Sequence, residues 1–383
     1  MARVETLEMI ERFISYDTVS SNSNLPLIDF VVDFLKPYAA DISITYANDG
    51  RKANLFATVG PADRPGFILS GHTDVVPVAD QEWNADPFSL VRREDRLHGR
   101  GTADMKGFLA IALAAVPRLV AGSLAAPIHI AMTYDEEVGC LGVGRLLADL
   151  RARDIRPRGC IVGEPTGMAV VHAHKGKIGG HVAVRGLAAH SSLSDRGVNA
   201  VEAAAEAIAF LKRLQRRIRD QGPYNDAFDA PNYTTIQCCR MDGGTAVNVI
   251  PAVAAFDFDV RYLPGEDPAT YVDALKQFVR DEIEPEMTAV FPAARFEWTD
   301  VPGCAAFWQE PDSGIVELGI RLTEVKGISA VPFGTEAGYF REIGIPTIVC
   351  GPGSIDQAHK PDEYLALDQV TACEAFLDRL ADV

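Results

Sequence analysis

Two adjacent carboxylates, Glu136 and Glu137, stand in the run Met132-Thr-Tyr-Asp-Glu-Glu-Val-Gly139, directly after the apolar stretch Ile128–Met132. Neighbouring strand residues point to opposite faces, so the pair can serve one site only where a strand ends and the chain turns. At such a point one carboxylate can hold a metal while the other stays free to move protons. Metal-assisted hydrolysis requires that division of labour. Taken alone, the pair is more simply a solvated strand end, and the rest of the sequence overturns that reading.

Five further groups occupy comparable places. His72 and Asp74 follow the apolar run Phe67–Ser70, in Ser70-Gly-His-Thr-Asp-Val-Val-Pro77. Asp104 lies in Gly99-Arg-Gly-Thr-Ala-Asp-Met-Lys-Gly107, just before an Ala- and Leu-rich helical segment. Glu164 ends the apolar run Ile161–Gly163, and His359 follows the run Pro346–Cys350. Each stands at the carboxyl end of an expected strand or the start of an expected helix, the edge where open α/β sheets bind ligands.

Imidazoles and carboxylates are donors that zinc accepts, and a set without cysteine suits a catalytic rather than a structural site. Asp104 could bridge two ions through its two oxygens, with His72 and Glu164 completing one and Glu137 and His359 the other. Asp74 could accept the second N–H of His72 and fix its tautomer. Two Zn²⁺ are balanced by Asp104, Glu137, Glu164 and one hydroxide, whereas those carboxylates without metal would raise one another's pKa. Glu136 is then left as the proton carrier. Each residue also has an ordinary explanation, and Asp104 could simply cap its helix. His172 and His174 are taken as structural. Gly99-Arg-Gly101 lacks the spacing of a phosphate-binding glycine loop.

The elements needed to position these groups alternate in an α/β manner. Helical periodicity marks residues 4–15 and 27–35, and helices are expected near 105–120, 143–150 and 370–380. Strands are expected at 54–59, 66–70, 128–136 and 159–163. Around Lys177 the pattern changes to strand, helix, strand, strand, helix, which reads as an inserted α+β unit. The expected fold is a mixed sheet flanked by helices, formed by residues 1–177 and 299–383, with the insertion at 178–298. A chain of 383 residues is long enough for two such domains. The formal net charge of −17 disfavours nucleic acid and anionic membranes as partners. Seven scattered cysteines without a C-x-x-C pair suit reduced thiols, and no basic leader or membrane-length apolar run is visible. The expected location is cytoplasmic.

The strings around His72, Asp104, Glu136–Glu137 and Glu164 resemble, in order, the motifs of the co-catalytic zinc aminoacylases and carboxypeptidases. Further matching strings are Ala173-His-Lys-Gly176, Arg196-Gly-Val-Asn-Ala200, Gly334-Thr-Glu-Ala337 and Gly351-Pro-Gly-Ser-Ile-Asp-Gln-Ala-His359-Lys-Pro-Asp-Glu-Tyr364. The resemblance implies a zinc-exopeptidase-like fold, two Zn²⁺ for which Co²⁺ can substitute, and a homodimer formed through the inserted unit, which acts as a lid. It implies that His190 steadies a tetrahedral oxyanion, that Asn248 and Arg261 bind the substrate carboxylate, and that Glu336 lies beside the substrate. The implied reaction is removal of acetate from an N-acetylated amino acid, N²-acetyl-L-ornithine first. Acetylcitrulline, succinyl-diaminopimelate, dipeptides and carboxypeptidase substrates are the alternatives, and a non-catalytic metal-binding protein on the same fold is the third reading, against which Glu136 stands. Tyr134 stands where many relatives have a small residue.

Overall fold

In the computed structural model, which describes residues 2–122 and 124–383, four of the apolar runs lie side by side and parallel. Ile128–Thr133, Phe67–His72, Gly159–Pro165 and Thr347–Gly351 are neighbours in that order. Ala53–Val59 and Ala39–Tyr46 extend the sheet antiparallel on one side, and Val170–His174 and Phe307–Trp308 on the other. Every residue of the four parallel strands is buried, as strands covered on both faces must be. Helices Val4–Ile14, Leu25–Leu35, Lys106–Ala121, Gly314–Leu322 and Leu367–Leu380 share one core with one face of the sheet. Val143–Ala152 packs against Ala53–Val59 outside that core. The mixed sheet flanked by helices is therefore the observed architecture. Because the four central strands are parallel, their carboxyl ends share one edge.

Two compact units form. The first runs to His174 and resumes over Phe307–Ala330 and Thr335–Val383; the second is Lys175–Ala306 with Val331–Gly334. Within the second, Thr235–Gly243, Val253–Tyr262, Gly176–Arg185 and Arg295–Cys304 make an antiparallel sheet in that order. Val182, Val184, Phe256, Phe258 and Val260 point to one face and pack with helices Ala200–Gln221 and Ala269–Phe278. Asn199 caps the first of these helices, accepting from the N–H groups of Val201 and Glu202. Arg295–Cys304, absent from the sequence expectation, pairs along Gly176–Arg185 and carries the unit past residue 298. Its Pro302 and Gly303 obscure the strand pattern, and an edge position tolerates both.

Helix Lys106–Ala121 starts directly after Asp104, so its distance from the sheet sets where that carboxylate lies. Two glycines allow a close approach. A Cβ on Gly71 would meet Met105 Cε at 2.6 Å, and one on Gly163 would meet the Phe108 ring at 2.0 Å. Gly71 precedes His72 and Gly163 precedes Glu164. The absent side chains thus lower the helix onto the strands just where the donors emerge. Gly163→Ala should push the helix away and lower stability by about 1–3 kcal/mol, as overpacking does. Urea unfolding of the metal-free protein checks this, and a variant as stable as the parent would show that the contact is not tight.

Candidate metal centre

The strand expected to end at Glu136 stops at Thr133. Asp135 then adopts φ 57°, a left-handed conformation that Asp tolerates better than most residues. The turn closes with the N–H groups of Gly139 and Cys140 each donating to the Glu136 carbonyl at 2.9 Å. Both glutamates therefore lie in the turn, which frees them from the alternation of a strand.

The five expected metal donors converge in the first unit. His72 Nε2 lies 3.0 Å from Asp104 Oδ1 and 3.8 Å from Glu164 Oε1. His359 Nε2 lies 3.3 Å from Asp104 Oδ2 and 3.1 Å from Glu137 Oε2. Asp104 thus turns one oxygen to each imidazole. Two donor triads result, His72–Asp104–Glu164 and Asp104–Glu137–His359. Tetrahedral zinc with ligands at ~2.0–2.1 Å separates its donors by about 3.3 Å, so both triads have the spacing of a ligand set. The donors are all imidazole nitrogen or carboxylate oxygen, and the set fits two divalent ions. Asp104 does not cap its helix: Met105 is the N-cap residue and no side chain bonds there. The Asp104–Met105 peptide is cis.

Glu136 belongs to neither triad. It is half-buried, and its Oε1 lies 3.6 Å from Cys140 Sγ. Burial foremost, with Glu137 beside it, raises its pKa well above the usual carboxylate range. Burial likewise raises Glu164 well above that range and Glu137 to about 6. Burial would also raise Asp104, but its hydrogen bonds with His359 and His72 hold it low. Hydrogen bonds to Asp104 and Glu137 bring His359 up to about 10.

Asp74 differs in detail from expectation. The group near His72 Nδ1 is the Asp74 backbone carbonyl, at 2.8 Å, while its carboxylate is 3.7 Å away. That carboxylate instead accepts from the N–H groups of Glu136 at 3.0 Å and Glu137 at 3.3 Å, and from the Ser20 hydroxyl at 2.7 Å. Three donors outcompete a distant imidazole, so Asp74 holds the glutamate turn. Ser20, which braces it, carried no sequence signal. His172 and His174 are structural, near the Gln309 carbonyl at 2.9 Å and the Thr335 hydroxyl at 2.9 Å.

Glu336 was expected beside the substrate and lies in the interior, 1% exposed. The Thr133 hydroxyl donates to its Oε2 at 2.8 Å, and its buried Oε1 has no hydrogen-bond partner. The remaining expected residues belong to the second unit. His190 and Asn248 are exposed there and close together, Ser191 N–H donating to the Asn248 carbonyl at 3.0 Å. Arg261 is half-buried on Val253–Tyr262, with Nε 3.1 Å from Asp259 Oδ1.

Burial pushes Glu336 up to about 7 from an ordinary 4.5. Between those values the folded chain keeps a proton that the unfolded chain has released. The associated stability is complete below 4.5 and is lost as pH rises through 7. The metal-free protein should lose on the order of 1–3 kcal/mol by this route, and Glu336→Gln should flatten the loss. Equal pH dependence in both proteins, measured by chemical denaturation from pH 5 to 8, would exclude Glu336 as its source.

Among the described residues no helix is long and apolar enough to cross a membrane. Residues 68–382 match the model of peptidase family M20/M25/M40. A metallo-carboxypeptidase from Sulfolobus solfataricus shares the fold at TM-score 0.77 and 18% identity, over 100% of both chains. A tripeptidase from Staphylococcus aureus does so at TM-score 0.76 and 18% identity, again over 100% of both. The YXEP protein of Bacillus subtilis, a dinuclear metal binding peptidase, aligns at TM-score 0.66 and 14% identity, over 98% of this chain and 97% of its own. At such identities the likeness is one of fold. The family match is made in sequence, and its span contains both donor triads: the chain belongs to peptidase family M20/M25/M40, enzymes that hydrolyse amide and peptide bonds.

Proposed function

We propose that this chain is a two-zinc amidohydrolase that removes acetate from N²-acetyl-L-ornithine, an acetylornithine deacetylase of arginine biosynthesis. The observation that carries the hydrolase reading is the sharing of Asp104 between two triads while the adjacent Glu136 joins neither. Bound divalent ions would supply Lewis acidity, polarising the acetyl carbonyl and acidifying water. Glu136 takes the proton of the attacking water and returns it to the leaving amine. Asp74 keeps Glu136 and Glu137 in register through their backbone N–H groups.

In this reading the His190 imidazole donates to the developing oxyanion. Asn248 and Arg261 bind the α-carboxylate, for which a guanidinium fork is the fitting partner. The second unit serves as a lid and as the surface of a homodimer in the cytoplasm, with Co²⁺ able to replace zinc. The choice of acetylornithine is supported by the strings at 173–176, 196–200, 334–337 and 351–364. A dipeptidase or carboxypeptidase is the second reading; the proteins of like fold include a tripeptidase and a metallo-carboxypeptidase.

Glu136→Gln should keep both metals and lose at least ~10²-fold in kcat, the lower end for a general base. Near-normal turnover would remove Glu136 from the role. Acetylornithine should give the highest kcat/KM in a panel with acetylcitrulline, succinyl-diaminopimelate and dipeptides, assayed with zinc and with cobalt. A dipeptide leading that panel would replace the deacetylase with the second reading.

A further inference from the structure

The loops bearing Asp104 and His359 are far apart in sequence, yet the Asp104–Glu137–His359 triad depends on their separation. A small antiparallel sheet brings them together, Arg96–His98 lying between Val91–Arg93 and Tyr364–Ala366. Each loop leaves this sheet into a single polar cluster. At its centre is Glu363, fully buried, facing Arg100, 1% exposed, with Nη1 and Oε2 2.8 Å apart.

Glu363 acts on the Asp104 loop. Its Oε1 accepts from the N–H groups of Ala103 at 2.8 Å and Asp104 at 3.0 Å, and its Oε2 from Gly101 at 3.0 Å. Arg100 acts on the His359 loop. Its Nη1 donates to the Lys360 carbonyl at 3.3 Å and its Nη2 to Gln81 Oε1 at 2.6 Å. Gln81 in turn donates from Nε2 to the carbonyl of His359 at 3.0 Å. His359 needs such support: its φ is 64° and its side chain is 57% exposed, so little packing holds the ring.

We infer that Gln81, Arg100 and Glu363 are positioning residues that set the Asp104–His359 separation, and so the affinity of the Asp104–Glu137–His359 site for its ion. None of them belongs to either donor triad. Glu363 bonds the backbone of the bridging Asp104 directly, whereas Gln81 bonds the backbone of His359 and reaches the Asp104 loop only through the Arg100 side chain. This asymmetry separates the proposal from a general structural role.

The inference rests on the two-ion reading of the site. Chelator-stripped full-length protein is titrated with Co²⁺ and followed by visible absorption, with His359→Ala identifying the step that belongs to the Asp104–Glu137–His359 site. Gln81→Ala, a change at a half-buried residue, should weaken that same step about 10- to 100-fold, the usual effect of an outer-shell partner. It should leave the other step within about threefold and the melting temperature of the metal-free protein unchanged. Glu363→Gln should weaken both steps. Equal weakening of both steps by Gln81→Ala, or no change in either, overturns the inference. A parent protein that takes up one ion only refutes the two-ion reading itself, and the inference falls with it.

Discussion

Four carboxylates, Asp104, Glu136, Glu137 and Glu164, crowd the carboxyl edge of one sheet together with two imidazoles. Most of the fold can be understood as a response to that constraint. Burial and mutual repulsion disfavour so many negative charges in one place, and three of the four have pKa values driven upward. Only cations can hold such a cluster ionised. Asp104 is the pivot, because each of its oxygens already faces a different histidine.

The backbone does much of the positioning. Parallel neighbours deliver His72, the Glu136–Glu137 turn, Glu164 and the His359 loop to one edge without any side-chain contact being needed. Asp104 arrives differently, from the loop before a helix. Its placement depends on two side chains that are missing, at Gly71 and Gly163, which let the helix lie close to the strands.

Polar side chains supply the finer control, and they act mainly on backbone groups. Asp74 binds the N–H groups of the glutamate turn, and Glu363 binds those of the Asp104 loop. Such carboxylates are buried yet well satisfied, which is the condition under which buried charge is tolerated. Glu336 differs, with one buried oxygen left without a hydrogen-bond partner and a pKa pushed to about 7 by its burial.

Periodicity and apolar runs were enough to read the α/β alternation, the inserted α+β unit and the strands that carry the donors. Residue type and local position singled out His72, Asp104, Glu137, Glu164 and His359 as candidate ligands, and the fold brings these five together in two triads. Edge strands such as Ala39–Tyr46 and Arg295–Cys304 left weak signals, since most of their described residues are half-buried or exposed and such positions tolerate Pro, Gly and charge. The tertiary structure alone decided the rest. That Asp74 serves a turn rather than an imidazole, that Glu336 faces inward and that Arg100 meets Glu363 are facts about groups distant in sequence. Composition and spacing describe what a segment can do by itself. Which partner wins a hydrogen bond is decided by distance and burial, and these exist only after the chain has folded.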